Sequence, residues 1–145
     1  MISLRWLQEF ADLPDDGEEV ARALSGLGHE VEGMRRLEAP FSGVVVARVL
    51  EVRPHPRADK LRLARLDTGS GEQEVVCGAW NFAAGAIVPL STVGAVLAGG
   101  LEVGEREIRG VLSRGMICSE AELGLSEESS GILVLQDDLA LGSDF

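Results

Sequence analysis

Arg57, Lys60, Arg62 and Arg65 place four of the chain's thirteen basic side chains within residues 55–69, HPRADKLRLARLDTG. Guanidinium and ammonium groups gathered so closely suit the neutralisation of phosphate. On a regularly alternating strand Lys60 and Arg62 share one face, where both would meet the same phosphate-bearing ligand. The plainer alternative is a turn in which Asp59 pairs locally with Arg57 or Lys60.

The rest of the chain opposes such a ligand. Its formal charge is −11, yet residues 48–65 carry six bases against only Glu51 and Asp59. Residues 115–145 hold seven acids and no base. A polyanion is therefore repelled by most of the surface and drawn only to residues 48–65. An ordinary solvated strand pair is the competing reading of the same charges.

Other candidates lie further along. VVCGAWNF combines a strand end, a glycine turn, Trp80 and Asn81. An exposed Trp80 suits stacking on a base, and a buried one would cap the end of a barrel or face a neighbouring domain. IRGVLSRGMICS sets Arg109 and Arg114 among glycines, with Ser113 and Ser119 read as turn and cap residues. His55, between Pro54 and Pro56, has no acidic or nucleophilic partner in sequence. The two cysteines, Cys77 and Cys118, lack metal-ligand spacing and read as reduced, buried thiols. GxGxxG, GxxxxGK[ST] and HExxH are all missing, so no motif for nucleotide hydrolysis or metalloprotease chemistry is present. No apolar run reaches the roughly 20 residues that span a bilayer and no signal-peptide pattern opens the chain, which predicts a cytoplasmic protein without membrane contact.

The elements that must hold these groups follow from periodicity. Ser3 can cap a helix bearing Leu4, Trp6, Leu7 and Phe10, and Asp15 or Asp16 can cap a second that ends at Gly26 and Gly28. HEVEGMRRL is expected as a short strand, and EAPFSG as the boundary between a helical segment, 1–40, and a second unit, 41–145. From Gly43 the β-branched run VVVARVLEVRPHP predicts a strand closed by its prolines. KLRLARLDTG alternates and slips phase at Ala64–Arg65, which predicts a bulge. EQEVVCG, AIVPLS and EREIRGVL each read as one more strand, with a turn or short helix in GAWNFAAG. The fold class is mainly β, α+β overall: a five-stranded Greek-key barrel of the OB type behind a small helical start.

These segments in this order, HPRADKLRLARLDTG, VVCGAWNF, STVGAVLAGG and IRGVLSRGMICSEAELGLSEESSGILVL, closely resemble the tRNA-binding OB domain that begins the bacterial phenylalanyl-tRNA synthetase β subunit. The same domain type occurs in some methionyl-tRNA synthetases, in free-standing tRNA-binding proteins and in a synthetase-associated cytokine. The barrel resemblance covers about residues 41–145, and ISLRWLQEFADL with ALSGLGHEVEGM resembles the β-subunit start. Where the family often has GAPN, this chain has Gly78-Ala79-Trp80-Asn81. The β subunit is several-fold longer, so the chain is expected to be a fragment ending at LALGSDF, where a next domain would begin. The resemblance implies an auxiliary tRNA-contact region of an α2β2 ligase that joins phenylalanine to its tRNA with ATP and magnesium. It also implies that this fragment is non-catalytic, binds no cofactor itself, and meets the α subunit and the remaining β domains. The expected RNA-binding set is Arg57, Lys60, Arg62, Arg65, Trp80, Asn81, Arg109 and Arg114, with weak tRNA binding through residues 48–65. The alternatives are a protein-interaction module without RNA contact and a free-standing general tRNA-binding protein.

Overall fold

Apolar and β-branched residues alternate through the middle of the chain, and they build the strands that carry the basic residues. The structure, a computed structural model, describes residues 2–35, 38–127, 129–136 and 139–145. It divides into two compact units, Met1–Glu38 and Ala39–Phe145.

The first unit holds two helices, α1 (Leu4–Leu7) and α2 (Gly17–Gly26). Ser3 Oγ accepts from the Trp6 N–H at 3.1 Å, and Asp16 Oδ1 from the Glu18 N–H at 2.9 Å, so both starts are capped by short polar side chains. Beyond α2, Gly28 takes φ +88° and the His29 N–H reaches back to the Leu24 carbonyl, a left-handed stop suited to glycine. The strand expected over HEVEGMRRL is not formed in its described part, residues 29–35; residues 36 and 37 lie outside the described residues. Only Val31 in that part is even half-buried, so nothing apolar anchors a ladder.

The second unit is the barrel. Its strands are β1 (Ser42–His55), β2 (Ala58–Asp67), β3 (Glu72–Cys77), β4 (Ile87–Val96), β5 (Glu105–Ile108), β6 (Val111–Arg114) and β7 (Met116–Ile117). An antiparallel sheet runs in the order β3-β2-β1-β4-β7, and β5 with β6 forms a separate hairpin. Ser113 on β6 joins the two. Its Oγ accepts from the Val76 N–H of edge strand β3 at 3.0 Å and donates to the Gly115 carbonyl at 3.1 Å, standing in for a ladder bond. One apolar cluster fills the sheet's inner face (Ala47, Val49, Ala64, Leu66, Val75, Leu90). A second, around Val44, Leu97 and Leu123, closes the other end, where Phe41 stacks on Phe145. Cys77 and Cys118 are free and buried in these clusters, and burial pushes the Cys118 thiol up to about 11. Both are buried thiols, as expected, and burial favours their protonated form.

Three local expectations are corrected. EREIRGVL is not one strand but the β5–β6 hairpin, turned at Arg109 (φ +50°) and Gly110 (φ +81°) between the paired Ile108 and Val111. Two successive positive φ values define the two-residue turn whose twist suits a hairpin. The prolines do not close β1, since Pro54 pairs with Arg62 and the strand runs on to His55. Pairing with β4 ends at Arg48, so beyond it one side of β1 needs no N–H donor. The bulge lies directly opposite the expected place, at Leu50 of β1, between the pairs Val49–Leu66 and Glu51–Arg65. Leu63 and its partner Val76 are buried on the face opposite Ala64 and Val75. With both faces of β2 buried there, its alternation lapses without any bulge in β2 at Ala64–Arg65.

Candidate nucleic-acid interface

The turn between β1 and β2 is tied to the β5–β6 turn by one side chain. His55 is only 4% exposed. Its Nδ1 accepts from the Arg57 N–H at 3.1 Å, which leaves Nε2 to carry the ring proton and donate to the Ile108 carbonyl at 3.0 Å. The two turns therefore meet. The Arg57 guanidinium lies over Gly110, so closely that a Cβ built there would sit 2.6 Å from its Nη1. Arg57 and Arg109 are both exposed, and they are brought together although 52 positions separate them in the chain. His55 thus has a structural task, and sequence spacing alone gives no sign of it.

Lys60 is also exposed. The register jumps from His55–Ala58 to Pro54–Arg62, which leaves Asp59, Lys60 and Leu61 bulged out with no partner on β1. This bulge breaks the strand alternation that set Lys60 and Arg62 on one face. Asp59 forms no ion pair with Arg57 or Lys60 among the described residues. Neither Arg57, Lys60 nor Arg109 has an acidic partner among them, and Arg106 on β5, outside the sequence-based set, is likewise exposed and unpaired.

Arg62 is placed differently from expectation. It is half-buried at the barrel's end, where its Nε and Nη2 donate to the Ala79 carbonyl at 3.1 and 2.9 Å and Nη2 to the Phe82 carbonyl at 3.2 Å. Its guanidinium carbon lies 4.8 Å from the Trp80 ring centre and 4.5 Å from that of Phe82. A planar cation between two rings, with carbonyls accepting from its edge, binds strand β2 to the 78–82 loop. Asn81 is engaged in the same loop. Its amide donates to the Ile132 carbonyl at 2.8 Å and accepts from the Ile132 N–H at 3.0 Å, as a backbone partner would. Trp80 itself stays 62% exposed.

Three further arginines are held by acids, and Arg48, also exposed, has no ion pair among the described residues. Arg65 lies 2.9 Å from Glu72 and 3.2 Å from Glu51, Arg114 lies 3.0 Å from Glu105, and Arg53 lies 2.6 Å from Glu74. The hydrogen bond and charge of Glu72, then the charge of Glu51, hold the Arg65 guanidinium still more firmly protonated. Glu74 does the same for Arg53. All four pairs are partly or largely exposed and water-screened, so they tie up charge more than they stabilise the fold. Ser119 closes the turn over residues 120–124, and no helix forms there for it to cap. Its N–H and Oγ both donate to Glu122 Oε2, at 2.7 and 2.8 Å, and its Oγ accepts from the Glu122 N–H at 3.3 Å.

What the arrangement offers is a small positive tip on an acidic body, flanked by an exposed indole. Among the described residues no three His, Cys, Asp or Glu side chains come together as metal ligands do. No described helix is long and apolar enough to cross a membrane.

Comparison with known proteins identifies the family. Residues 44–144 match the family described as "Putative tRNA binding domain". Over 135 residues the chain is 51% identical to the phenylalanine–tRNA ligase β subunit of Anaeromyxobacter dehalogenans, covering 92% of this chain and 17% of that one. The same subunit from Syntrophus aciditrophicus is 44% identical over 99% of this chain and 18% of its own length. The chain thus spans less than a fifth of the length of the curated relatives it matches. Two solved structures share the fold. A MetRS-related protein from Pyrococcus horikoshii matches at TM-score 0.54 and 17% identity, over 70% of this chain and 87% of that one. The C-terminal domain of Plasmodium vivax p43 matches at TM-score 0.51 and 21% identity, over 70% of this chain and 57% of that one. The motifs, the OB-type barrel and the match over residues 44–144 converge, and the chain belongs to the tRNA-binding domain family, homologous to a region of phenylalanine–tRNA ligase β subunits.

Proposed function

We propose that this domain binds tRNA weakly through Arg57, Lys60 and Arg109, as the auxiliary tRNA-contact element of a phenylalanine–tRNA ligase β subunit. One observation carries the reading: three exposed cations lie on the two turns joined by His55 and on the adjoining bulge, and none has an acidic partner among the described residues. Free cations release phosphate counterions on binding, whereas a cation already held by a carboxylate must first give up that partner. Arg62 and Asn81 act as positioning residues for the 78–82 loop, and Arg65 and Arg114 contribute little. In the cytoplasmic α2β2 enzyme that the family resemblance implies, the α subunit carries the ATP- and magnesium-dependent joining of phenylalanine to tRNA. This chain contributes contact and no catalysis.

Few contacts on a body of charge −11 give an affinity in the non-specific range, Kd about 10⁻⁶ to 10⁻⁴ M. Filter binding of tRNA at low salt tests the assignment. Lys60→Ala and Arg57→Ala are each expected to weaken binding several-fold, while Arg65→Ala and Arg114→Ala leave it nearly unchanged. Equal losses at all four positions would mean that net charge alone attracts the RNA, and no binding by the unaltered chain would favour a protein-interaction role instead.

A further inference from the structure

The proposed phosphate contacts leave Trp80 unused, although it is 62% exposed and lies in a loop fixed from beneath. The Arg62 guanidinium lies over the Trp80 ring, 4.8 Å from the centre, and over the buried Phe82 ring at 4.5 Å. Three hydrogen bonds from Arg62 to the Ala79 and Phe82 carbonyls hold the middle layer. The next residue, Asn81, is locked to both backbone groups of Ile132. The ring's contact with Arg62 helps hold the loop, yet most of its surface is left to water. The support does give a flat surface already in place, so a ligand loses little freedom of the protein on binding.

We infer that Trp80 is a stacking platform for one unpaired nucleobase, which becomes the fourth layer on Phe82, Arg62 and Trp80. The inference rests on the tRNA-binding reading and narrows it, since bases within a duplex are stacked on their neighbours and cannot present a face to the indole. The RNA taken by this tip is therefore a loop or a single-stranded end. Any base serves, because each has a π-face.

The test uses the full chain carrying Trp6→Phe, which leaves Trp80 as its only tryptophan. Oligoadenylate and a blunt RNA duplex of equal length are titrated at low salt. Saturable quenching of Trp80 by oligoadenylate, and binding of the duplex without quenching, are the expected results. Trp80→Ala should weaken oligoadenylate binding about ten-fold or more, the scale of one base–aromatic stack, with the salt dependence unchanged. Trp80→Phe should recover most of that loss. Binding of oligoadenylate that leaves Trp80 fluorescence untouched, or equal affinity in Trp80→Ala, would overturn the platform while the phosphate contacts stand. Absence of binding by either RNA would remove the tRNA-binding reading itself.

Discussion

At the scale of single residues, charge in the sequence and charge available at the surface are different quantities. Residues 48–65 contain six bases, yet Arg53 and Arg65 are held by glutamates and Arg62 is consumed by two carbonyls and two rings. Arg62 shows the point most plainly. Removing it takes the donors from the Ala79 and Phe82 carbonyls and the cation from the two rings, so Arg62→Ala is expected to cost about 1–3 kcal/mol of stability, the range for hydrogen bonds made by a charged group. Thermal denaturation checks this, and a melting temperature equal to that of the unaltered chain would mean that Arg62 is only a solvated side chain. The sequence made the cluster conspicuous but could not say which members were free. That depends on Glu51, Glu72 and Glu74, which only strand pairing brings alongside. Asn81 was legible as part of the VVCGAWNF motif, and its role was not, because Ile132 lies 51 positions away.

At the scale of elements, periodicity found the barrel and missed its irregularities. The strands from Gly43 to Cys77 follow the β-branched runs closely, as do the two helix caps. The β5–β6 turn escaped notice because Arg-Gly lacks the Asn-Gly or Asp-Gly signature of a two-residue hairpin turn. Arginine at φ +50° is an unfavoured choice there. Asparagine adopts that backbone more readily and lacks the cation. Arg109→Asn is therefore expected to keep or slightly raise the melting temperature while weakening tRNA binding several-fold. Parallel melting and filter-binding measurements separate the two effects. If affinity is retained, Arg109 has no part in the contact, and if stability falls, the turn depends on the arginine side chain.

At the scale of the whole molecule, the composition foretold an acidic body with one positive tip, and the motif order foretold the family. Neither could show that His55 joins two distant turns to make that tip. The division after Glu38 leads us to propose that residues 39–145 fold alone, since both apolar clusters of the barrel lie within them. A cooperative thermal transition of that segment is expected, and a gradual, non-cooperative melt would place the boundary elsewhere. The central claim concerns how few contacts the tip makes. Each neutralised phosphate contributes about −0.7 to −0.9 to the slope of log K against log salt, so three cations give about −2 to −3. The decisive measurement is that slope for tRNA binding to the full chain and to the triple variant Arg57→Ala, Lys60→Ala, Arg109→Ala. The account predicts a slope near −2 to −3 in the first and near zero, with residual affinity too weak to saturate, in the second. The same slope in both would contradict it.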